Sequence, residues 1–227
     1  MQNRMALNQQ KQALSSAFSG RFSRMLLKKR YLIPLLASLL VFMVRLEMIE
    51  VENPTRDQAR LEEYLVTLYG AGIPEAERKL VIETIVAKGQ DLEVPYTFRI
   101  DGRKVNRTFL LAAYIKTESN FRRYARSTSD ARGYMQVKPM TAAWLDQRSG
   151  RPNRVEQMYD TRLNINYGVE YLNYLMTEVD DPRLAALSYN MGPNNVKRGY
   201  FEEQYWRKIL HVYRQLQSGS FRNRPVR

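Results

Sequence analysis

Beyond residue 54 the apolar positions recur every three to four residues, interrupted by short stretches rich in Gly, Pro, Asn and Asp, a pattern that predicts a mainly α fold. Residues 55–68 carry Leu61, Tyr64, Leu65 and Leu68 on one face, and residues 74–88 carry Val81, Ile82, Ile85 and Val86. Gly70-Ala71-Gly72 separates these two amphipathic helices, whose apolar faces are expected to pack on the core over 107–217. The period changes at Tyr96-Thr97-Phe98-Arg99-Ile100, which runs into Asp101-Gly102. That reads as a strand entering a tight hairpin and returning over 104–107. Helices are then predicted near 107–120, 139–149, 162–179, 182–191 and 201–217. In the third of these, Ile165, Val169, Leu172, Met176 and Val179 form a stripe at helical spacing and predict a buried face.

The N-terminal region has a different pattern. Residues 1–46 hold eight Lys or Arg and no acid, and Lys28-Lys29-Arg30 stands immediately before an apolar run over 31–44. Fourteen residues make ~21 Å of helix, short of a ~30 Å hydrocarbon core. Met25, Leu26 and Leu27 before the basic cluster and Leu46, Met48 and Ile49 after the run extend it, with Arg45 able to snorkel. Arg45-Leu46-Glu47-Met48 offers no small-residue cleavage site, so an uncleaved anchor over 25–49 is expected rather than a signal peptide. The positive-inside rule leaves residues 1–30 in the cytoplasm, with 1–24 as a basic tail, and places everything after about residue 50 on the far side. The competing reading is an apolar helix buried in a soluble core, and carbonate extraction of membranes separates the two.

Read as a helix, 107–119 places Leu111, Tyr114, Ile115 and Glu118 on one arc and turns Lys116 away from it. A carboxylate on an apolar face is costly when ionised, and the negative end of the helix dipole adds to that cost. Glu118 is therefore expected to hold its proton toward neutral pH, where a glycosidase acid must act.

The stretches around and beyond Glu118 stand in a fixed order: Thr117-Glu118-Ser119-Asn120-Phe121, Gly133-Tyr134-Met135-Gln136-Val137, Asn164-Ile165-Asn166-Tyr167-Gly168-Val169-Glu170-Tyr171-Leu172, and Ala186-Leu187-Ser188-Tyr189-Asn190-Met191-Gly192-Pro193. This set, with Tyr205-Trp206-Arg207-Lys208-Ile209-Leu210 after it, resembles the soluble-type (SLT) lytic transglycosylases over about 109–213. The resemblance implies a goose-lysozyme-like helical domain that cleaves bacterial peptidoglycan. It gives Glu118 the part of catalytic acid and then base. Ser127 matches a hydroxyl that contacts the substrate N-acetyl group, and Met135 and Gln136 a groove-lining pair. Tyr189 and Asn190 match a Tyr-Asn beside the acid. Departures from the family pattern are Asp130 for a glycine, Tyr134 for a leucine, Lys138 for an apolar residue and Ser188 for an alanine.

Most glycosidases use two carboxylates, with substrate-assisted enzymes as exceptions. The family reaction is one of the exceptions: the acid protonates the linking oxygen, the muramoyl N-acetyl group steadies the developing charge, and the muramoyl 6-hydroxyl attacks. A 1,6-anhydro end results. Two alternatives are a hydrolase that uses Asp130 to activate water, and a peptidoglycan-binding assembly factor that does not cut. A turn role for Asp130 in Ser127-Thr128-Ser129-Asp130 competes with the first.

Charge and composition add limits. The net charge of +13 falls to +5 for residues 47–227, where 28 Lys and Arg face 23 Asp and Glu. That excess suits an anionic polymer or membrane surface, and no recognition helix, zinc spacing or aromatic strand motif points to nucleic acid. With no cysteine, disulfides and thiolate chemistry are excluded. His211 is the one histidine and reads as a surface or cap residue, so no metal site or cofactor is expected. The expected organisation is a mainly α, lysozyme-like domain with a small β-hairpin behind an anchor helix. It divides into 1–24, 25–49, a helical part with the hairpin over 50–106, a catalytic core over 107–217 and a basic tail over 218–227. The expected place is the bacterial inner membrane with the catalytic part on the periplasmic side. The expected partners are glycan strands, the membrane and an envelope-spanning machine.

Overall fold

The computed structural model describes residues 53–221 and, before them, Pro34, Ala37 and Ser38, which are helical. The rest of the expected anchor and the basic segments 1–24 and 222–227 lie outside the described residues. Among the described residues no helix is long and apolar enough to cross a membrane.

Eight α-helices, two three-residue 3-10 helices (Gly70–Gly72 and Val155–Gln157) and one hairpin are found in residues 53–221. Helix α1 (Pro54–Tyr69) and α2 (Glu75–Gly89) precede strands β1 (Arg99–Ile100) and β2 (Arg103–Lys104). Then come α3 (Arg107–Ser119), α4 (Pro139–Arg148), α5 (Thr161–Val179), α6 (Pro182–Met191), the short α7 (Pro193–Lys197) and α8 (Glu203–Ser218). The fold is thus mainly helical, as the apolar periodicity predicts. The antiparallel pair is shorter than the expected hairpin, with Ile100 opposite Arg103. Pro95 O accepts from Phe98 N at 2.9 Å, so Tyr96 and Thr97 turn instead of extending the strand. On the return side Asn106 caps a helix, which ends the pairing early. Helix α7 lies between the helices predicted near 182–191 and 201–217 and is additional to them. Proline at the first position of a new helix costs nothing, since that N–H has no partner in any case.

Helix α3 lies at the centre, and the reason is in its sequence. Leu110, Leu111, Ala112, Ala113, Tyr114 and Ile115 are consecutive and all fully buried, so the helix is apolar around its whole circumference. It packs on α2 and on α8. Asn106 pins its start: Asn106 Oδ1 accepts from Phe109 N at 3.0 Å, and Asn106 Nδ2 donates to both oxygens of the buried Asp57 in α1 at 3.0 and 2.9 Å. The backbone N–H of Asn106 also donates to Tyr213 Oη in α8 at 3.0 Å. One capping residue therefore ties three helices together. At the other end Asn120 takes the left-handed conformation, and its N–H closes the helix on Lys116 O.

The faces predicted for α1 and α2 are occupied as expected. Leu61, Tyr64, Leu65, Val81, Ile82 and Ile85 are buried, with Leu68 and Val86 packed at the edge of the same core. Of the α5 stripe, Ile165, Val169, Leu172 and Met176 are buried and Val179 is part-buried. Phe221, within the expected basic tail, sits edge-on to Tyr64 with ring centroids 5.2 Å apart and lies under the Arg60 guanidinium.

Candidate functional site

The segment after α3 is irregular, and α5 holds it in shape. Asn120, Phe121, Asp130, Gly133 and Gln136 all have positive φ, and two isolated bridges, Arg126 with Arg132 and Arg132 with Val137, give it a small β-like fold. Asn164 in α5 is its anchor. Its Oδ1 accepts from Met135 N at 2.8 Å, and its Nδ2 donates to Arg132 O at 2.9 Å and to Met158 O at 2.8 Å. Four residues on, Gly168 allows the Met135 side chain to lie against the α5 backbone; a Cβ there would fall 2.5 Å from Met135 Cγ. Asn164 and Gly168 thus explain the third of the ordered motifs as support for the second. Tyr134 Oη donates to Glu77 Oε1 at 2.7 Å, and Arg123 pairs with Glu77 Oε2 at 3.0 Å, so α2 braces the same segment.

Glu118 occupies the last turn of α3, part-buried, on the arc shared with Tyr114. The Tyr205 hydroxyl of α8 donates a hydrogen bond to Glu118 Oε1, which is the carboxyl's one hydrogen bond among the described residues. No ion pair reaches it among them. Burial pushes the Glu118 carboxyl up to about 7 and outweighs the opposing effect of the Tyr205 hydrogen bond. The two tyrosines beside it answer in kind. Burial first, and then the Glu118 charge, hold Tyr189 and Tyr205 well above the ordinary phenol range. Tyr189 donates to Met135 O at 2.7 Å and its ring lies 6.1 Å from that of Tyr114. The acid, the ordered segment and α6 are thereby joined in one cluster, in which a carboxyl near half-protonation at neutral pH can give and recover a proton.

The other expected residues fall at varied places. Met135, expected in the groove, has its side chain fully buried against Gly168 and offers the site only its carbonyl. Gln136 is part-buried; its Nε2 donates to Ala125 O at 3.1 Å and Gly133 O at 2.9 Å, which leaves Oε1 without a partner among the described residues. Ser127 is exposed, and its hydroxyl accepts from Ser129 N at 3.2 Å and Ala131 N at 3.0 Å, holding a turn. It makes no hydrogen bond to Glu118. Asn190 is exposed near the end of α6, which closes on Gly192.

Asp130 takes a left-handed φ of 61°, which suits the position where the family carries glycine. Arg132 donates to both its oxygens at 3.0 and 2.9 Å, and Arg126 to one at 2.6 Å. The Arg132 hydrogen bonds lead in holding its carboxyl below the usual range. Ser188 is fully buried, and its hydroxyl has no partner among the described residues. Tyr205 is the site residue that sequence reasoning did not single out. It comes from a helix 87 residues away, and no local spacing marks which aromatic of α8 reaches the carboxyl. Among the described residues no group of three or more His, Cys, Asp or Glu side chains could hold a metal ion.

Several relatives match this chain. The membrane-bound lytic murein transglycosylase C of Mannheimia succiniciproducens is 37% identical over 107 residues, covering 42% of this chain and 30% of that protein. The membrane-bound lytic murein transglycosylase E of Buchnera aphidicola is 36% identical over 70 residues, covering 29% of this chain and 31% of that protein. The chain thus spans under a third of the length of either relative. Among solved structures, the 70 kDa soluble lytic transglycosylase of Escherichia coli shares 19% identity at a TM-score of 0.45, covering 70% of this chain and 26% of that one. The model of the transglycosylase SLT domain matches residues 96–212, more than half of the sequence, and the chain belongs to that family.

Proposed function

We propose that the protein is a lytic transglycosylase that cleaves the β-1,4 bond between N-acetylmuramic acid and N-acetylglucosamine in peptidoglycan without consuming water. The observation that carries this reading is the protonatable Glu118, raised to about 7 by burial and attached to the site by Tyr205 alone among the described residues. Its proton passes to the linking oxygen as the bond from that oxygen to the muramoyl anomeric carbon breaks. The N-acetyl oxygen of the same sugar steadies the developing positive charge. Glu118, now a carboxylate, takes the proton of the muramoyl 6-hydroxyl as that oxygen bonds to the anomeric carbon. The acid is regenerated and a 1,6-anhydro end forms. The Tyr205 hydroxyl stabilises the carboxylate stage, and Gln136 Oε1, without a partner among the described residues, accepts from the sugar. Ser127 and Asn190, both exposed, are assigned to the glycan.

Hydrolysis would need a second group to activate water. Asp130 is engaged by two arginines on both oxygens, which suits a turn-bracing residue better than a base. Digestion of purified sacculi followed by mass analysis tests this directly. Wild type and Asp130→Asn are both expected to release anhydromuropeptides, because asparagine also tolerates the left-handed backbone. Products heavier by one water from wild type, and lost in Asp130→Asn, would assign the chemistry to a hydrolase. Absence of any product would favour a binding protein.

Membrane attachment is part of the same proposal. The relatives are named as membrane-bound, and the Lys28-Lys29-Arg30 cluster precedes an apolar run that suits an inner-membrane anchor with the catalytic part in the periplasm. A locally acting enzyme of this kind fits an envelope-spanning machine as its partner.

A further inference from the structure

A row of aromatic rings leads from the catalytic cluster to the far edge of α4. From Tyr189 the next ring is Tyr171, with centroids 5.4 Å apart, then Tyr174 at 6.2 Å and nearly parallel, then Trp144 at 4.7 Å and edge-on. All four are part-buried and pack against the core. The row is built from α6, α5 and α4, and the helical spacing explains it. Tyr171 and Tyr174, three residues apart, stand on one face of α5.

At the end of the row lies a cation. The Arg148 guanidinium sits 5.5 Å from the Trp144 ring centroid and 5.4 Å from that of Tyr174. Arg148 is exposed and has no carboxylate partner among the described residues, whereas Arg151 and Arg154, close behind it, are both paired with Asp146. An aromatic platform capped by an unpaired cation, continuous with a proton-donating carboxyl, is complementary to an amphipathic anionic polymer. A glycan strand of N-acetylated sugars has the required parts. Its sugar rings present apolar C–H faces that pack on aromatic faces, and where the stem peptides have been removed every second sugar carries a free lactyl carboxylate.

We propose that Trp144, Tyr174 and Arg148 form an outlying glycan subsite, in which a sugar of the strand packs on the two rings and a muramoyl carboxylate pairs with Arg148. This rests on the peptidoglycan reading and extends it to the part of the strand remote from the cleaved bond. The platform raises occupancy of the site by long strands and contributes nothing to proton transfer, so its members are binding residues.

The sequence contains two tryptophans, Trp144 and the buried Trp206, which makes the test direct. In the Trp206→Phe, Glu118→Gln double variant, Trp144 is the sole indole reporter. Its emission is expected to change saturably with an N-acetylglucosamine hexamer and with peptide-free glycan strands. Trp144→Ala, which removes the indole reporter and is therefore read by titration calorimetry, is expected to weaken both by about tenfold. Arg148→Gln is expected to weaken the strands about as much at low salt and leave the uncharged hexamer unaffected. Glycan that binds, as sedimentation with sacculi reports, while Trp144 emission stays fixed would overturn the platform and leave the catalytic reading standing. Failure of the protein to bind either glycan, together with absence of anhydro products, would overturn both.

Discussion

Glu118→Gln is expected to fold and to release no measurable anhydromuropeptide from sacculi, a fall of roughly 10³-fold or more, because glutamine keeps the shape of the side chain but has no proton to give. The same variant is expected to be the more stable protein at alkaline pH, and the sign comes from burial. The folded carboxyl titrates at about 7 against an ordinary value of 4.5, so between those values the folded state binds more protons than the unfolded one. Stability contributed by the protonated group is fully present below 4.5 and is lost as pH rises through about 7. At pH 8 wild type carries a buried carboxylate at a cost on the order of 3 kcal/mol, which glutamine removes. Denaturant melts at pH 5 and pH 8 measure it. Wild type should lose stability between the two pH values by more than the variant does. Equal slopes, or substantial activity in Glu118→Gln, would remove Glu118 from the mechanism.

The second large effect concerns the segment that supports the site. Gly133 has φ +75°, and a Cβ there would lie 2.4 Å from Asn164 Nδ2. Asn164 cannot yield without loosening its bonds to Met135 N, Arg132 O and Met158 O. Gly133→Ala therefore combines left-handed strain, about 1–2 kcal/mol, with loss of buried hydrogen bonds at about 1 kcal/mol or more each. A total of roughly 3–5 kcal/mol is expected, with activity falling as the Met135 carbonyl leaves Tyr189. Gly102→Ala is the control: its φ is +76°, but no atom lies within 4 Å of the added Cβ. It should lose only the strain. Similar small losses in both, read from denaturant midpoints, would show that Asn164 does not anchor the segment.

Much of this arrangement was legible in the sequence, for identifiable reasons. Helix positions followed from apolar periodicity, since a stripe such as Ile165, Val169, Leu172 and Met176 has a single way to leave water. Helix starts carried a further signal that periodicity alone does not use: Asn53, Asn106, Asp160 and Asp181 each accept a backbone N–H of the turn they open. Placing Glu118 on the buried arc of its helix was enough to foresee a raised carboxyl. What the sequence did not disclose depends on residues far apart in the chain. Tyr205 meets Glu118 only because α8 packs along α3. Met135 stands next to Gln136 in one motif, yet the turn at Gln136, with φ 48°, sends the two side chains to different environments. The hairpin was overestimated because the turn made by Pro95 consumes the residues that alternate.

The state of one carboxyl underlies the whole account, and it can be observed by itself. Carbon-13 NMR of protein labelled at the glutamate side-chain carbonyl, with the Glu118 resonance identified by its absence in Glu118→Gln, reports the titration of that group. Burial beside Tyr205 predicts a midpoint near the value of about 7. A midpoint at the ordinary 4.5 would mean that Glu118 is already ionised where the reaction must begin, and would contradict its role as the proton donor.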